Sequence, residues 1–220
     1  MKKLLGLLCF CLWGCKPAPI LPVKEQITVN NTSINVISPE NAIPADLDAP
    51  ELKEWLAERP SMANKVVKLY FEPEQRCFQR GVGRSGYQSC HSVLEKICYL
   101  ESLDFYNENL AQMALEDRER YIRQYFKMLK NGIAYSRPSQ VTFNLLEDGE
   151  DHIVYERIIG ERGRPQILAT LALNHWLFNA ICQDYSVPTM VRGSAWEKMQ
   201  TISWVNALVK ENSPTETPKQ

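Results

Sequence analysis

The segment PQILATLALNHWLFNAICQDY, residues Pro165–Tyr185, is apolar on most of its sides and begins with a proline. Proline is favoured in the first turn of a helix, and a helix that is apolar all round is normally buried. The segment is therefore predicted to be the central helix of the domain. Asn174, His175 and Asn179 interrupt its apolar run, so we do not interpret it as a membrane span.

Capping signals and apolar spacing predict further helices on both sides of this segment. Asp48 and Glu51 flank Pro50, which is a helix-start pattern. Ser92 with Glu95 forms a possible capping box, and Gly132 after Asn131 is expected to end the long helix before it. The predicted helices run from about 50 to 59, 61 to 71, 92 to 100, 114 to 131 and 194 to 209. The last should face inward with Trp196, Met199, Ile202, Val205 and Val209.

One stretch has the alternation of a β-hairpin. Residues 141–145 alternate, Asp148-Gly149 forms a turn, and β-branched residues resume from Ile153. The sequence therefore predicts a mainly α fold with one β-hairpin, of class α+β. We expect a compact, disulfide-stapled helical domain on a flexible N-terminal tether.

The N-terminus, MKKLLGLLCFCLWGC, has the form of an export signal. Lys2 and Lys3 form a basic start, and an uncharged apolar run follows that is too short to span a bilayer. The run ends on Leu12-Trp13-Gly14-Cys15, which resembles the lipobox of bacterial lipoproteins. The resemblance implies a signal peptide over residues 1–14 and a mature chain that begins at an acylated Cys15. Lys16 after the cysteine implies the outer membrane, on its periplasmic face. The alternatives are an ordinary secretory signal with a chance cysteine and an uncleaved anchor.

The remaining chain divides into three segments. Residues 15–49 contain five prolines after the anchor cysteine and are expected to be a lipid-anchored tether. Within it, alternation on both sides of Asn30-Asn31 permits a short hairpin or a strand that adds to a partner, but disorder is the expected state. Residues 50–210 should form the periplasmic domain, and residues 211–220 a disordered tail.

The charge balance excludes one class of partner. The chain carries 25 basic and 26 acidic residues, and loss of Lys2 and Lys3 with the signal leaves 23 against 26. This near-neutral balance gives no electrostatic case for nucleic acid. We predict neither a cofactor nor a metal.

Four cysteines remain after the signal and the anchor are subtracted: Cys77, Cys90, Cys98 and Cys182. An even number suits two disulfides in an oxidising periplasm. If Cys90 and Cys98 share a helix they lie about 12 Å apart and cannot pair. Two connectivities remain, and we favour Cys77–Cys90 with Cys98–Cys182 over Cys77–Cys98 with Cys90–Cys182. A zinc site formed by Cys77, Cys90, His91 and Cys98 is a weaker alternative, because Cys90 and His91 are adjacent and the C-x-x-C spacing is missing.

Two motifs offer candidate chemistry. Residues 81–86 match G-x-G-x-x-G, but no strand pattern precedes them, so we interpret them as a loop. Arg76, Arg80 and Arg84 around the loop could bind an acidic partner. Glu101-Ser102 resembles the catalytic pair of lytic transglycosylases, which implies Glu101 as a general acid/base acting on peptidoglycan. The downstream Gly-Leu-Met-Gln segment of that family has no counterpart, so we expect Glu101 on a helix surface.

Neither His152 nor His175 falls in a hydrolase frame, and His175 is expected to be a core residue. The favoured hypothesis is therefore a non-enzymatic accessory lipoprotein. It would act as a scaffold or pilotin-like factor of a secretion, conjugation or pilus assembly, through contacts with other envelope proteins. A peptidoglycan-active enzyme and a ligand-binding or inhibitor module are the alternatives.

Overall fold

The computed structural model describes residues 19–58, 65–73, 75–79, 88–92, 96–134, 141–159, 165–185 and 195–213. The strands are β1 Lys24–Val29, β2 Thr32–Ile37, β3 Ile43–Pro44, β4 Val66–Phe71, β5 Gln75–Gln79, β6 Gln88–Ser92, β7 Lys96–Ser102, β8 Val141–Asp148, β9 His152–Ile159, β10 Pro165–Leu173 and β11 Trp176–Asp184. The helices are α1 Pro50–Ala57, α2 Asp104–Ala111, α3 Leu115–Ala134 and α4 Ala195–Asn212.

A seven-stranded antiparallel sheet organises these elements. Its strand order is β3-β4-β7-β11-β10-β9-β8, while β1 with β2 and β5 with β6 form two separate hairpins. Helix α4 packs on β10, β11 and β2 on one face, where Trp204 meets the ring of Tyr70. Helix α3 lies over the opposite face, where Tyr125 approaches Tyr155. The prediction of a mainly α fold is therefore wrong: the protein is built on a β-sheet.

The predicted central helix is a β-hairpin. β10 and β11 pair with Leu173 opposite Trp176, and the two residues between them, Asn174 and His175, have φ of 47° and 66°. Positive φ at both positions is the signature of a type I′ turn. A continuous apolar run fits a buried strand as well as a buried helix, and here both faces of the central strands are covered.

Two other predicted helices also contain strands. β4 occupies most of the 61–71 segment, and β7 occupies the end of the 92–100 segment. The predictions of α1, α3, α4 and the β8–β9 hairpin are confirmed, although α3 continues past Gly132 to Ala134. Met199 of α4 is 63% exposed, so that part of the predicted inward face is wrong.

The N-terminal segment is a packed hairpin over residues 24–37, which corrects the expectation of a flexible tether there. Ile34 and Val36 are fully buried. Glu25 forms an ion pair of 2.8 Å with Lys68 of β4. On the α4 side, the Trp204 indole donates a hydrogen bond of 2.6 Å to the carbonyl of Ile37.

The Cys98–Cys182 disulfide is present. The two residues are direct partners in the β7–β11 register, with Cα atoms 4.1 Å apart. The bond therefore joins two neighbouring strands rather than clamping a helix. The backbone of the β5–β6 hairpin places Cys77 opposite Cys90, and a bond between them remains a prediction. Because Cys98 is paired with Cys182, it is not available for the alternative zinc site.

Candidate functional site

Glu101 lies on β7 in a row of polar side chains across the centre of the sheet, not on a helix surface. It is the register partner of Asn179 on β11, and Asn179 is the partner of Thr170 on β10. The Thr170 hydroxyl donates a hydrogen bond of 2.9 Å to Asn179 Oδ1. Asn179 is hydrogen-bonded to Glu101, and Tyr155 on β9 to Thr170. We call these four residues the Glu101 row.

Burial changes the acidity of this row. The pKa of Glu101 is raised, chiefly because burial disfavours its charged form, while Lys65, the Asn179 hydrogen bond and Arg157 oppose the shift. Burial likewise raises the pKa of Tyr155. A carboxyl group with a raised pKa retains its proton to higher pH, which is the property that a general acid needs.

Polar and aromatic groups flank the row on the same face. Arg157 on β9 donates a hydrogen bond of 2.6 Å to Gln166 on β10. Rings from α2, α3 and β8 also lie near the row: Tyr106 meets Tyr125 at 4.7 Å between centroids, and Phe143, the register partner of Arg157, meets Tyr155 at 5.9 Å. Side chains of this kind can bind a hydroxyl-bearing ligand through hydrogen bonds and ring contacts.

The sequence analysis did not identify four residues of this region as candidates: Asn179, Thr170, Tyr155 and Arg157. Asn179 and Thr170 stand inside the apolar segment 165–185, where they were treated only as part of a helix. Strand alternation places them on one face, so their polarity inside an apolar hairpin was the available signal. Their alignment with Glu101 depends on the register between strands far apart in the sequence.

The remaining candidate residues lie apart from this row. His152 is buried in β9 with its Nε2 atom 3.4 Å from Glu147. His175 lies in the β10–β11 turn and is half-buried, which corrects its assignment to the core. Cys15, Arg80 and Arg84 fall outside the described residues. Arg76 and His91 are described only as backbone partners in β5 and β6.

Within the described ranges, no group of His, Cys, Asp and Glu is arranged to hold a metal ion. None of the four described helices is both long and apolar enough to cross a membrane. Comparison of the chain with protein-family models, with characterised proteins and with solved structures gave no match.

Proposed function

We propose that this protein is an outer-membrane lipoprotein, anchored through Cys15 on the periplasmic face, that serves as an accessory or scaffold factor of an envelope assembly. It acts through protein–protein contacts at the membrane surface. The anchor is inferred from the lipobox-like sequence Leu12-Trp13-Gly14-Cys15.

The packing of the first hairpin supports a function close to the membrane. The folded unit begins at Val23, whose backbone N–H donates a hydrogen bond of 2.8 Å to Ser38 Oγ and whose carbonyl accepts one of 2.9 Å from Ser38 N. Val23 is only eight residues after Cys15, and such a segment reaches at most about 30 Å. A disordered segment up to residue 49 would reach about 110 Å.

An edge strand offers a surface for a partner. β8 ends the seven-stranded sheet and pairs only with β9 among the described strands. Its Leu145 side chain is 46% exposed. An exposed strand edge can accept an extended segment of another protein through backbone hydrogen bonds. The bulge between Leu145 and Glu147 limits such pairing to the first half of β8.

Mass spectrometry of protein from a membrane fraction tests the anchor. We expect an N-terminal peptide that begins at an acylated Cys15, and Cys15→Ser should release the protein from the outer membrane. Cys11→Ser is the matched control, because it changes a cysteine of the signal only. An unmodified Cys15 in mature protein would overturn the proposal.

Site-specific photocrosslinking in cells tests the partner surface. A crosslinking residue at Asn144 on β8 should capture a defined envelope protein, and one at Glu54 on α1 should not. If the residue at Glu54 captures the same protein as the one at Asn144, or if neither position captures a protein, β8 is not the contact surface.

The Glu101 row supports a second candidate function, cell-wall glycan cleavage. A half-buried carboxyl group with a raised pKa and hydrogen-bonding neighbours meets part of the requirement for a general acid. Incubation of purified peptidoglycan with the protein tests this function. Cleavage should be present in the wild type, absent in Glu101→Gln, and retained in the control Glu108→Gln. Equal cleavage in both variants, or none in the wild type, would reject an enzymatic function for Glu101.

A further inference from the structure

A cleft of about 310 Å³ lies at one end of the sheet, separate from the Glu101 row. We call it the turn cleft, because the β8–β9 and β10–β11 turns form one side of it. Helix α3 and the C-terminal end of α4 form the other sides. Its apolar lining consists of Ile122, Ala172 and Val209.

The rim of the turn cleft carries an excess of acidic groups. Glu119, Glu150 and Asp151 all line it. Arg123 also lines the cleft and is 3.5 Å from Glu119, so it partly neutralises that carboxylate and leaves the Glu150–Asp151 side as the acidic part of the rim. No described cation lies within ion-pair distance of Glu150 or Asp151. His175 faces the same space.

The charge of Glu150 acts on the neighbouring Asp151. The pKa of Asp151 is raised, first by burial and then by the neighbouring Glu150 charge, while His152 and His175 oppose the shift. A cation between the two carboxylates would relieve this repulsion. The apolar lining beside them suits an aliphatic stem, since a lysine side chain combines such a stem with a terminal charge.

The turn cleft lies beside the first hairpin. Asn174 in the β10–β11 turn donates a hydrogen bond of 3.0 Å to the carbonyl of Ser33, next to the β1–β2 turn. Asn212 of the cleft lining donates a hydrogen bond of 2.7 Å to the carbonyl of Asn35 on β2, and Lys24 forms an ion pair of 2.8 Å with the neighbouring Glu211. These contacts fix the C-terminal end of α4, which forms one side of the cleft.

We propose that the turn cleft is a docking site for a lysine-bearing segment of a periplasmic partner protein. The lysine stem packs on Ile122 and Val209, and its ammonium group lies between Glu150 and Asp151. The periplasmic location of the partner rests on the proposed lipid anchoring, whereas the chemistry of the cleft does not.

Ligand-observed saturation-transfer NMR on the full chain tests the site. The probe is the acetylated, amidated tripeptide Gly-Lys-Gly, and the control ligand replaces lysine by norleucine, which keeps the stem without the charge. We expect saturation transfer to the lysine side chain and about fivefold less to norleucine, the ratio that a charge contact of about 1 kcal/mol gives. Equal transfer to both peptides, or none to either, would overturn the proposal.

A pair of variants separates the cleft from general charge attraction. E150Q/D151N removes two charges from the rim, while the fold-relevant contact of Asp151, its carbonyl with Ala172 N at 2.8 Å, uses the backbone. E116Q/D117N removes two charges from the exposed first turn of α3. The first variant should lose the lysine signal and the second should keep it, with melting temperatures near wild type. Equal loss in both would contradict a specific site.

This test and the anchor test give independent answers. Peptide binding with an unmodified Cys15 would reject only the anchoring and the periplasmic location that follows from it. An acylated Cys15 without peptide binding would reject only the docking site.

Discussion

Asn107 of α2 joins its helix to the central strands. It is buried, its Nδ2 donates to the carbonyl of Leu177 at 2.9 Å and to Ser102 Oγ at 3.1 Å, and its Oδ1 accepts from Leu177 N at 2.8 Å. Asn107→Ala should lower the free energy of unfolding by about 2–4 kcal/mol, because the Leu177 N–H loses its buried acceptor and the Leu177 carbonyl keeps only the hydrogen bond from Leu103 N.

Urea denaturation measures the effect of Asn107→Ala, and Asn109→Ala in the same helix is the matched control. Asn109 is exposed and donates one hydrogen bond to the carbonyl of Phe105. Its loss should change stability by less than about 1 kcal/mol. Equal destabilisation by the two variants would contradict the role assigned to Asn107.

Glu101 should make stability depend on pH. Its pKa is raised in the folded state by burial, so the folded protein keeps this proton to higher pH than the unfolded chain does. Stability therefore falls as pH rises from the unfolded pKa through the folded pKa. Glu101→Gln should remove this slope, so the variant gains stability relative to wild type between acid and neutral pH. Unfolding curves at several pH values measure the difference, and a constant difference would contradict it.

At the scale of elements, the β10–β11 turn explains why Pro165–Tyr185 is not a helix. His175 has φ of 66°, a conformation that glycine adopts without steric strain. His175→Gly should raise the free energy of unfolding by about 0.5–1 kcal/mol, and His175→Val should lower it by about 1–2 kcal/mol. Thermal and urea denaturation of the two variants measure these changes. The opposite order would mean that another contact of His175 outweighs its backbone strain.

The disulfide links two elements whose cysteines are 84 residues apart in sequence. Closing a loop of that length stabilises a protein by about 4 kcal/mol in the chain-entropy account, and by about 2–4 kcal/mol in typical measurements. The free energy of unfolding of the double variant Cys98→Ala/Cys182→Ala, measured by urea denaturation, should be lower than that of the wild type by about 2–4 kcal/mol. The double variant Cys77→Ala/Cys90→Ala is the comparison: a similar loss there indicates a second bond, and no loss argues against one.

At the scale of the whole molecule, the first hairpin belongs to the folded unit. A chain that begins at residue 39 lacks Ile34 and Val36, which are both fully buried, and exposes Tyr70 and Trp204 beneath them. Each lost aliphatic side chain removes about 1.5–3 kcal/mol of burial, so this chain should melt far below the full protein. A chain that begins at Pro19 should melt at the same temperature as the full protein. Circular dichroism measures the melting temperatures of both chains. If the chain that begins at residue 39 melted at the same temperature as the full protein, the first hairpin would be a tether and not part of the folded unit.

Local signals in the sequence were sufficient for part of this architecture. Capping residues and apolar spacing predicted α1, α3 and α4, because a helix is held by contacts three and four residues apart. Alternation with Asp148-Gly149 predicted the β8–β9 hairpin for the same local reason. The pairing of Cys98 with Cys182 belonged to the favoured one of two connectivities that the sequence left open, although the helical geometry used to reach it was wrong.

Tertiary structure decided what local patterns leave open. An apolar run such as Pro165–Tyr185 can satisfy its backbone hydrogen bonds either within a helix or between paired strands. The strand arrangement is possible here because β7 and β9 lie on either side of the β10–β11 hairpin and pair with it. The Glu101 row arises in the same way, since β7 and β11 are brought together by register and not by sequence proximity. By itself the sequence determined α1, α3, α4, the β8–β9 hairpin and the lipobox-like start, but not α2. The sheet, and every site that spans its strands, required long-range pairing.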